Sequence, residues 1–128
     1  RDAQESRGLG DVYKRQVQQS AEKGVYLKKQ LEELRAHPTV GDVRGVGLYC
    51  ALDLVKNKET REQFGKGNPF TAQLNQEVMT RGMITRIWDV VHFAPPLVAT
   101  IEEIDRMVAI VDEALTAAER DNGSEFVA

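Results

Sequence analysis

Few residues in the 128-residue chain have the type and spacing that catalytic or metal chemistry requires. The sequence holds one cysteine, Cys50, and two histidines, His37 and His92, with no C-x-x-C or H-E-x-x-H spacing. A single thiol forms no intramolecular disulfide, and three isolated ligand residues do not predict a metal site. Cys50 stands among apolar residues and is predicted to be a core side chain. His92, alone in an apolar run, is predicted to be a core or edge residue.

The glycines of the segment R-G-V-G-L come nearest to a nucleotide-binding motif. The fingerprint G-x-G-x-x-G would require glycine where Cys50 stands, and it follows a strand instead of preceding one. Gly45 and Gly47 are therefore predicted to allow a bulge or a close backbone approach where a strand begins. Asp42 and Arg44, which flank Val43 just before, are predicted to stabilise a turn as a pair.

The composition excludes several classes of protein. Hydrophobic residues make up 41% of the chain and charged residues 29%, so a packed core is expected. The 17 basic and 20 acidic side chains do not predict a nucleic-acid surface. No apolar run approaches the roughly 20 residues of a membrane span. With one cysteine, a soluble, cytoplasmic protein is the expectation. Because residue 1 is Arg rather than Met, a fragment is expected.

Apolar residues that recur every three or four positions predict three amphipathic helices. The first covers residues 17–37 and stops before a proline. The second runs from residue 70 to a stop at Gly82. The third begins at a capping box formed by Thr100 and Glu103 and continues to about residue 120. Each helix is expected to turn one apolar face toward a core.

Alternating apolar residues predict strands between these helices. One strand is predicted over residues 45–55, followed by a polar surface loop over residues 56–68. Two short strands are predicted over residues 83–87 and 90–93, with a turn between them. The order helix, strand, helix, two strands, helix predicts an α+β fold: a small antiparallel or mixed sheet covered by helices on one face.

The two ends of the chain differ from its middle. Residues 1–16 lack helical or strand periodicity and are predicted to be disordered. This stretch ends in GLGDVYKRQ and resembles an adaptor-derived peptide found at the start of many translations from environmental sequencing libraries. Residues 17–120 are predicted to form one domain, and residues 121–128 a polar, fraying tail.

Several short motifs follow one another along the chain: V-G-D-V-R-G-V-G-L, T-R-E-Q-F, R-G-M-I-T-R and A-P-P-L-V-A-T-I-E-E-I-D. In this order and spacing they resemble the C-terminal part of class III pyridoxal-phosphate-dependent aminotransferases of fold type I, over residues 17–115. The resemblance implies the small C-terminal domain of a homodimeric enzyme. Such an enzyme moves an amino group from an amine or amino acid to a 2-oxo acid.

The resemblance implies one functional residue, Arg86 in M-I-T-R-I-W. It aligns with the family arginine that pairs with the substrate carboxylate and swings away for amines that lack one. A guanidinium suits this task because its planar fork binds a carboxylate through two hydrogen bonds. Without the resemblance, a surface arginine at a strand end is the simpler interpretation.

The resemblance also implies what the chain does not supply. The lysine that forms a Schiff base with pyridoxal phosphate, and the cofactor's phosphate site, belong to a large domain upstream. We therefore expect no catalytic, cofactor-binding or metal-binding residue in this segment. Expressed alone, it is expected to bind no pyridoxal phosphate and to catalyse no transamination.

A different class of function fits the same elements. An α+β unit of this size is also a plausible stand-alone ligand-binding or regulatory module without catalysis, since fold alone does not determine function. The genomic sequence upstream distinguishes the two hypotheses, because only the enzyme requires an in-frame large domain with a cofactor lysine. The sequence does not reveal which amine or oxo acid the parent enzyme uses.

Overall fold

A computed structural model describes residues 2–83, 87, 89–95 and 99–128, with the backbone alone for residues 2–13, 16 and 17. Within these residues, the elements in chain order are three α-helices, one short 3-10 helix and three strands. They are α1 (Asp2–Glu32), a 3-10 helix (Glu33–Ala36), β1 (Val40–Val46), β2 (Tyr49–Leu54), α2 (Pro69–Thr80), β3 (Val90–Phe93) and α3 (Ile101–Asp121).

The three strands form one antiparallel sheet in the order β1-β2-β3. Because side chains alternate between the faces of a strand, the sheet has an inner and an outer face. The inner face is fully buried against the helices and carries Leu52, Val91 and Phe93. The outer face carries Tyr49 and His92, both exposed. The predicted α+β fold, a small sheet with helices on one face, is confirmed.

The first two strands form a hairpin where the sequence analysis predicted one strand. The loop consists of Gly47 and Leu48, and Val46 pairs directly with Tyr49. Gly47 has a φ of 56°, a conformation that a two-residue hairpin loop requires and that glycine adopts at little cost. The prediction of a single strand over residues 45–55 is therefore wrong. Residues 45 and 46 belong to β1, residues 47 and 48 form the loop, and the rest of the range contains β2. The pairing of β1 with β2 is irregular between Val40 and Asp42, at the start of β1, and not at Gly45 where a bulge was one of the two predictions.

Helix α1 crosses the hairpin at Gly24. A Cβ atom at this position would lie 2.0 Å from the carbonyl oxygen of Gly47, so only glycine allows the helix to approach so closely. From Gly24 onward the helix turns Leu27 and Leu31 into the core. The close backbone approach predicted for the glycines of the strand start thus occurs at Gly47.

The backbone of residues 2–16 is helical, whereas the sequence analysis predicted no regular structure there. Helix extension is cooperative, because each added residue gains a hydrogen bond once the first turn exists. No proline interrupts this stretch, so the helix that begins to pack at Gly24 continues backward from it. The origin of residues 1–16 and the boundaries at residues 17 and 120 stay predictions.

Helices α2 and α3 agree closely with the sequence analysis. Thr100 caps α3, accepting a hydrogen bond from the Glu103 amide, and the Glu103 side chain completes the predicted capping box. Asn68 caps α2 by accepting from the Phe70 amide. The core between helices and sheet contains large side chains with no exposed surface: Leu27, Leu31, Leu52, Leu54, Phe70, Leu74, Ile87, Phe93, Ile104 and Leu115.

The last residues are attached to the domain instead of fraying. The Phe126 ring lies 6.1 Å from that of Phe70, and the Val127 amide donates to the Lys56 carbonyl over 2.7 Å. The prediction of a fraying tail is therefore wrong for these residues. Although its neighbours are mostly polar, Phe126 holds this end of the chain on the core, because burying an aromatic ring is strongly favourable.

Candidate functional site

Arg86, the residue that the sequence analysis singles out, lies outside the described residues, as do the other central residues of the strand predicted over residues 83–87. The two flanking positions are described. Met83 and Ile87 are both buried, Ile87 completely. The contacts of Met83 and Ile87 are therefore the described part of the candidate site.

A side chain of α2 holds Ile87 by its main chain. The Asn75 amide group donates through Nδ2 to the Ile87 carbonyl oxygen over 2.5 Å, and its Oδ1 accepts from the Ile87 amide over 2.8 Å. Asparagine suits this position because its side chain carries both a donor and an acceptor. The two bonds reproduce the pairing that a neighbouring strand would offer.

The other end of the segment is attached to the same helix. The Met83 amide donates to the Val78 carbonyl over 3.2 Å. Gly82, with a φ of 95°, lets the chain leave the helix at this point. Met83 and Ile87 are thus both tied to α2, one at its last turn and one at Asn75.

The chain that follows is tied to the sheet. The Asp89 carbonyl accepts from the Leu54 amide over 2.8 Å, and the Asp89 carboxylate accepts from the Gly65 amide over 3.2 Å. Asp89 therefore connects the end of β2, the polar loop and the start of β3. These contacts fix the direction in which the backbone leaves the candidate site.

The outer face of the sheet carries polar contacts of its own. The Tyr49 hydroxyl and His92 Nδ1 are 2.6 Å apart on neighbouring strands, and His92 lies on the strand at the sheet edge. Arg44 pairs with Asp53 over 2.7 Å, whereas Asp42 pairs with Arg35 over 3.1 Å. The prediction that Asp42 and Arg44 form a pair is therefore wrong, because each has a better-placed partner outside its own strand.

Cys50 is fully buried on the inner face, as a core residue. Burial raises the pKa of its thiol, despite the nearby Lys28 charge, which disfavours the thiolate that nucleophilic chemistry needs. Within the described part of the chain, no three histidine, cysteine or acidic residues cluster as metal ligands would. Nor is any described helix long and apolar enough to cross a membrane.

Among the charged clusters that the sequence analysis did not predict, one is centred on His37. Both ring nitrogens of His37 are 2.6 Å from carboxylate oxygens, Nδ1 from Glu119 and Nε2 from Asp112. Glu119 also accepts from the hydroxyl of Thr39 over 2.7 Å. The hydrogen bond to Glu119, with a second to Asp112, outweighs burial and raises the pKa of His37. This cluster fastens the entry into β1 to the last turns of α3.

A lysine that forms a Schiff base needs a particular environment. Such a lysine is activated by desolvation or by a neighbouring positive charge. Every lysine with a described side chain is exposed or half-buried, and Lys58 donates to the Arg35 carbonyl on the surface. The lysines with described side chains therefore do not fit the role of the cofactor lysine.

Comparison with known proteins identifies the family. The family model described as aminotransferase class III matches residues 12–115 of this chain. The chain belongs to the class III aminotransferases. The match includes Asn75, Arg86 and Ile87, together with the whole sheet and most of α3.

Relatives and solved structures agree with this assignment. The putrescine–pyruvate aminotransferase of Pseudomonas aeruginosa is 40% identical over 97 residues, which cover 74% of this chain and 21% of that protein. The isoleucine 2-epimerase of Lentilactobacillus buchneri is 34% identical over 110 residues, covering 84% of this chain and 24% of that protein. The (S)-enantioselective omega-transaminase of Thermomicrobium roseum superposes with a TM-score of 0.77 at 31% identity, covering 84% of this chain and 24% of that structure.

The chain spans between a fifth and a quarter of the length of these proteins. The resemblance noted in the sequence is thus confirmed at the level of the family and of the fold. The relatives' names differ in substrate and even in reaction, since one is an epimerase. Family membership alone therefore does not transfer a substrate to this chain.

Proposed function

We propose that this chain is the small C-terminal domain of a pyridoxal-phosphate-dependent transaminase, a cytoplasmic homodimer in its complete form. It transfers an amino group from an amine or amino acid to a 2-oxo acid. The observation that carries the proposal is the class III match over residues 12–115, combined with coverage of only 21% of the Pseudomonas aeruginosa relative. The remaining length of such a protein offers room for the large domain that holds the cofactor.

In this proposal Arg86 binds the substrate carboxylate. The cofactor, when bound to the large domain, supplies the electron sink that stabilises the carbanion of the substrate. The chain's own contribution is orientation: a guanidinium holds a carboxylate through two parallel hydrogen bonds and thereby fixes its direction. A guanidinium also keeps its charge when partly buried, which suits this role.

The described neighbours of Arg86 are bonded to α2. Ile87, which follows Arg86 in the chain, is fully buried and bonded to Asn75, and the Met83 amide is bonded to the Val78 carbonyl.

The test uses a hybrid enzyme, because the chain covers one domain. Residues 17–120 replace the matching segment of the Pseudomonas aeruginosa putrescine–pyruvate aminotransferase. We expect Arg86→Ala to lower kcat/KM for pyruvate by a factor that corresponds to about 2–5 kcal/mol, the typical cost of losing one partner of a desolvated charge pair. The half-reaction with a monoamine donor should change much less, since a monoamine has no carboxylate.

Arg86→Lys serves as the conservative variant. Lysine restores the charge without the planar fork, so pyruvate turnover should recover only in part. Equal losses for pyruvate and for the monoamine in Arg86→Ala would show that Arg86 has a structural role only, and the proposal would fail.

The chain by itself is proposed to bind no pyridoxal phosphate and to be inactive. Spectroscopic titration of the 128-residue chain with pyridoxal phosphate tests this part, because a Schiff base absorbs in the visible range. Stoichiometric retention of the cofactor after gel filtration would contradict it and would favour a self-contained ligand-binding module.

A further inference from the structure

We propose that the His37 junction, formed by His37, Thr39, Asp112 and Glu119, is a pH-sensitive switch at the entry into β1. With both ring nitrogens protonated, His37 holds this entry on α3 through Asp112 and Glu119. Loss of one proton releases Asp112, keeps Glu119 and loosens the backbone where β1 begins. The switch acts within the described residues and does not depend on the proposed role of Arg86.

The geometry around the imidazole ring requires two protons. Nδ1 lies 2.6 Å from a Glu119 oxygen, and Nε2 lies 2.6 Å from an Asp112 oxygen. A neutral imidazole donates from one nitrogen and presents a lone pair at the other, whereas an imidazolium donates from both. In the neutral ring, one carboxylate would therefore face a lone pair at hydrogen-bond distance. Both contacts exist together only while His37 carries a positive charge.

The two carboxylates differ in what they lose when this charge disappears. The Glu119 side chain is 11% exposed and also accepts from the hydroxyl and the amide of Thr39, over 2.7 Å and 3.3 Å. The Asp112 side chain is 54% exposed. Water solvates Asp112 once it turns away, whereas a buried carboxylate without its partner is costly. The proton that remains on His37 is therefore expected on Nδ1, and the bond at Nε2 breaks.

The backbone next to His37 carries the effect to the sheet. The Val40 amide donates to the His37 carbonyl over 3.2 Å, and the Thr39 carbonyl accepts from the Val55 amide over 2.8 Å. Thr39 is fully buried. The His37 side chain attaches this turn to α3, so loss of one of its two bonds lets the turn open more often.

The direction of the switch follows from the groups that act on His37. The hydrogen bond to Glu119, with a second to Asp112, raises the pKa of His37 against the opposing effect of burial. Arg35, two positions earlier, pairs with Asp42 over 3.1 Å instead. Stabilisation by His37 is complete below its ordinary pKa of about 6.5 and is lost as pH rises through the higher folded value.

Other titratable groups stand near the ring on the neighbouring elements. His37 and Asp112 line a cavity of about 460 Å³ together with Tyr26 of α1, Glu33 of the 3-10 helix and Asp105 of α3. The Tyr26 hydroxyl donates to Asp105, and this bond raises the pKa of Tyr26 above its ordinary value of about 10. Histidine is the residue type in this group that ordinarily titrates near neutral pH.

Three substitutions separate the parts of the switch. His37→Gln removes the titrating ring and keeps a polar side chain. Asp112→Asn keeps an acceptor for a protonated Nε2 and offers a donor to an unprotonated one, so this contact survives in both states. Glu113→Gln is the matched control, because Glu113 is the next carboxylate on α3 but pairs with Arg81 over 3.3 Å.

The first measurement is hydrogen exchange at the Val40 amide of the 128-residue chain, expressed as protection relative to an unstructured peptide at the same pH. From pH 5.5 to pH 9 we expect protection to fall by about fivefold or more in the wild type and in Glu113→Gln, because hydrogen bonds between charged groups are lost. His37→Gln should show no fall and Asp112→Asn a smaller one. Constant protection in the wild type, or an equal fall in His37→Gln or Asp112→Asn, would overturn the proposal.

The second measurement follows the protons on the His37 ring by nitrogen NMR and needs no variant. At pH 5.5 both nitrogens should carry a proton, and after titration the remaining proton should lie on Nδ1, facing Glu119. A neutral ring with its proton on Nε2 would show that Asp112 keeps the bond. A ring that is already neutral at pH 5.5 would show that no switch operates above it, and either result would overturn the proposal.

Discussion

Two junctions of the molecule each attach the start of a strand to a helix, one through charged side chains and the other through neutral amides. The His37 junction (His37, Thr39, Asp112 and Glu119) fixes the entry into β1 to α3 through charged groups. The Asn75 junction (Asn75 and Ile87) fixes the approach to β3 to α2 through neutral amides. The charged groups thus lie in the His37 junction, whose residues are farther from Arg86 in the sequence than Asn75 and Ile87 are. The Asn75 junction consists of groups that do not titrate, so its two hydrogen bonds do not depend on pH.

The largest effect is expected for Asn75→Leu. Two buried main-chain groups of Ile87 lose their partners, which should lower the free energy of unfolding by about 2–4 kcal/mol. The loss should be the same at pH 5.5 and pH 8, since no group of this junction titrates between them. Urea denaturation of the chain at both pH values measures it. A loss that changed markedly with pH would contradict the distinction between the two junctions.

A pH-dependent effect is expected for His37→Ala. At pH 5.5 the substitution should cost about 2–3 kcal/mol, because hydrogen bonds between charged groups are lost. The folded-state pKa of His37 is raised, so its stabilising contribution is complete below the unfolded pKa of about 6.5. It is lost as pH rises through the folded pKa. The wild type and the variant should therefore converge in stability toward pH 9.

His92→Ala is the matched control for this experiment, because His92 contacts the Tyr49 hydroxyl instead of a carboxylate. Urea denaturation from pH 5.5 to pH 9 records both variants. A constant difference between wild type and His37→Ala over this range would show that His37 is a neutral packing residue.

A smaller effect is expected for Thr39→Val. The side chain is fully buried and donates its hydroxyl to Glu119 over 2.7 Å, and valine has nearly the same shape. Loss of one such bond should cost about 1 kcal/mol. Thermal unfolding followed by circular dichroism measures the change. A neutral result would mean that His37 and the backbone amide of residue 39, which donates to Glu119 over 3.3 Å, hold Glu119 without the hydroxyl.

The smallest effect is expected for Asp112→Asn. This carboxylate binds His37 Nε2, but its side chain is 54% exposed, and exposed ion pairs contribute only about 0–1 kcal/mol. The pKa of His37, followed by NMR titration, should fall slightly while remaining raised by Glu119. If Asp112→Asn were as costly as His37→Ala, the exposed partner and not the buried one would carry the His37 junction.

Local signals in the sequence predicted α2 and α3 well. The capping box of Thr100 and Glu103 marks the start of α3 within one residue, because capping depends on neighbours three positions apart. Strand β1 was missed, since its sequence V-G-D-V-R-G-V combines two glycines with two charged residues. Its strand character comes from pairing with β2, which periodicity within one segment does not reveal.

The candidate site could be predicted only in part. The motif around Arg86 pointed to the family, and the family model confirms that assignment while the role of Arg86 stays a proposal. The two junctions were not predictable. His37 and Glu119 are 82 positions apart, and Asn75 and Ile87 are 12 apart across a turn, so no local pattern links them.

The contact between Gly24 and Gly47 has a consequence for how this domain can vary. A Cβ at Gly45 would lie 2.7 Å from the Cys50 sulfur, and a smaller residue in place of Cys50 could relieve that clash. A Cβ at Gly24 would meet the carbonyl oxygen of Gly47, which every amino acid carries. Substitution of Gly24 therefore has no suppressor at position 47, and a mutational scan should show loss of stability for substitutions of Gly24 whichever residue stands at position 47.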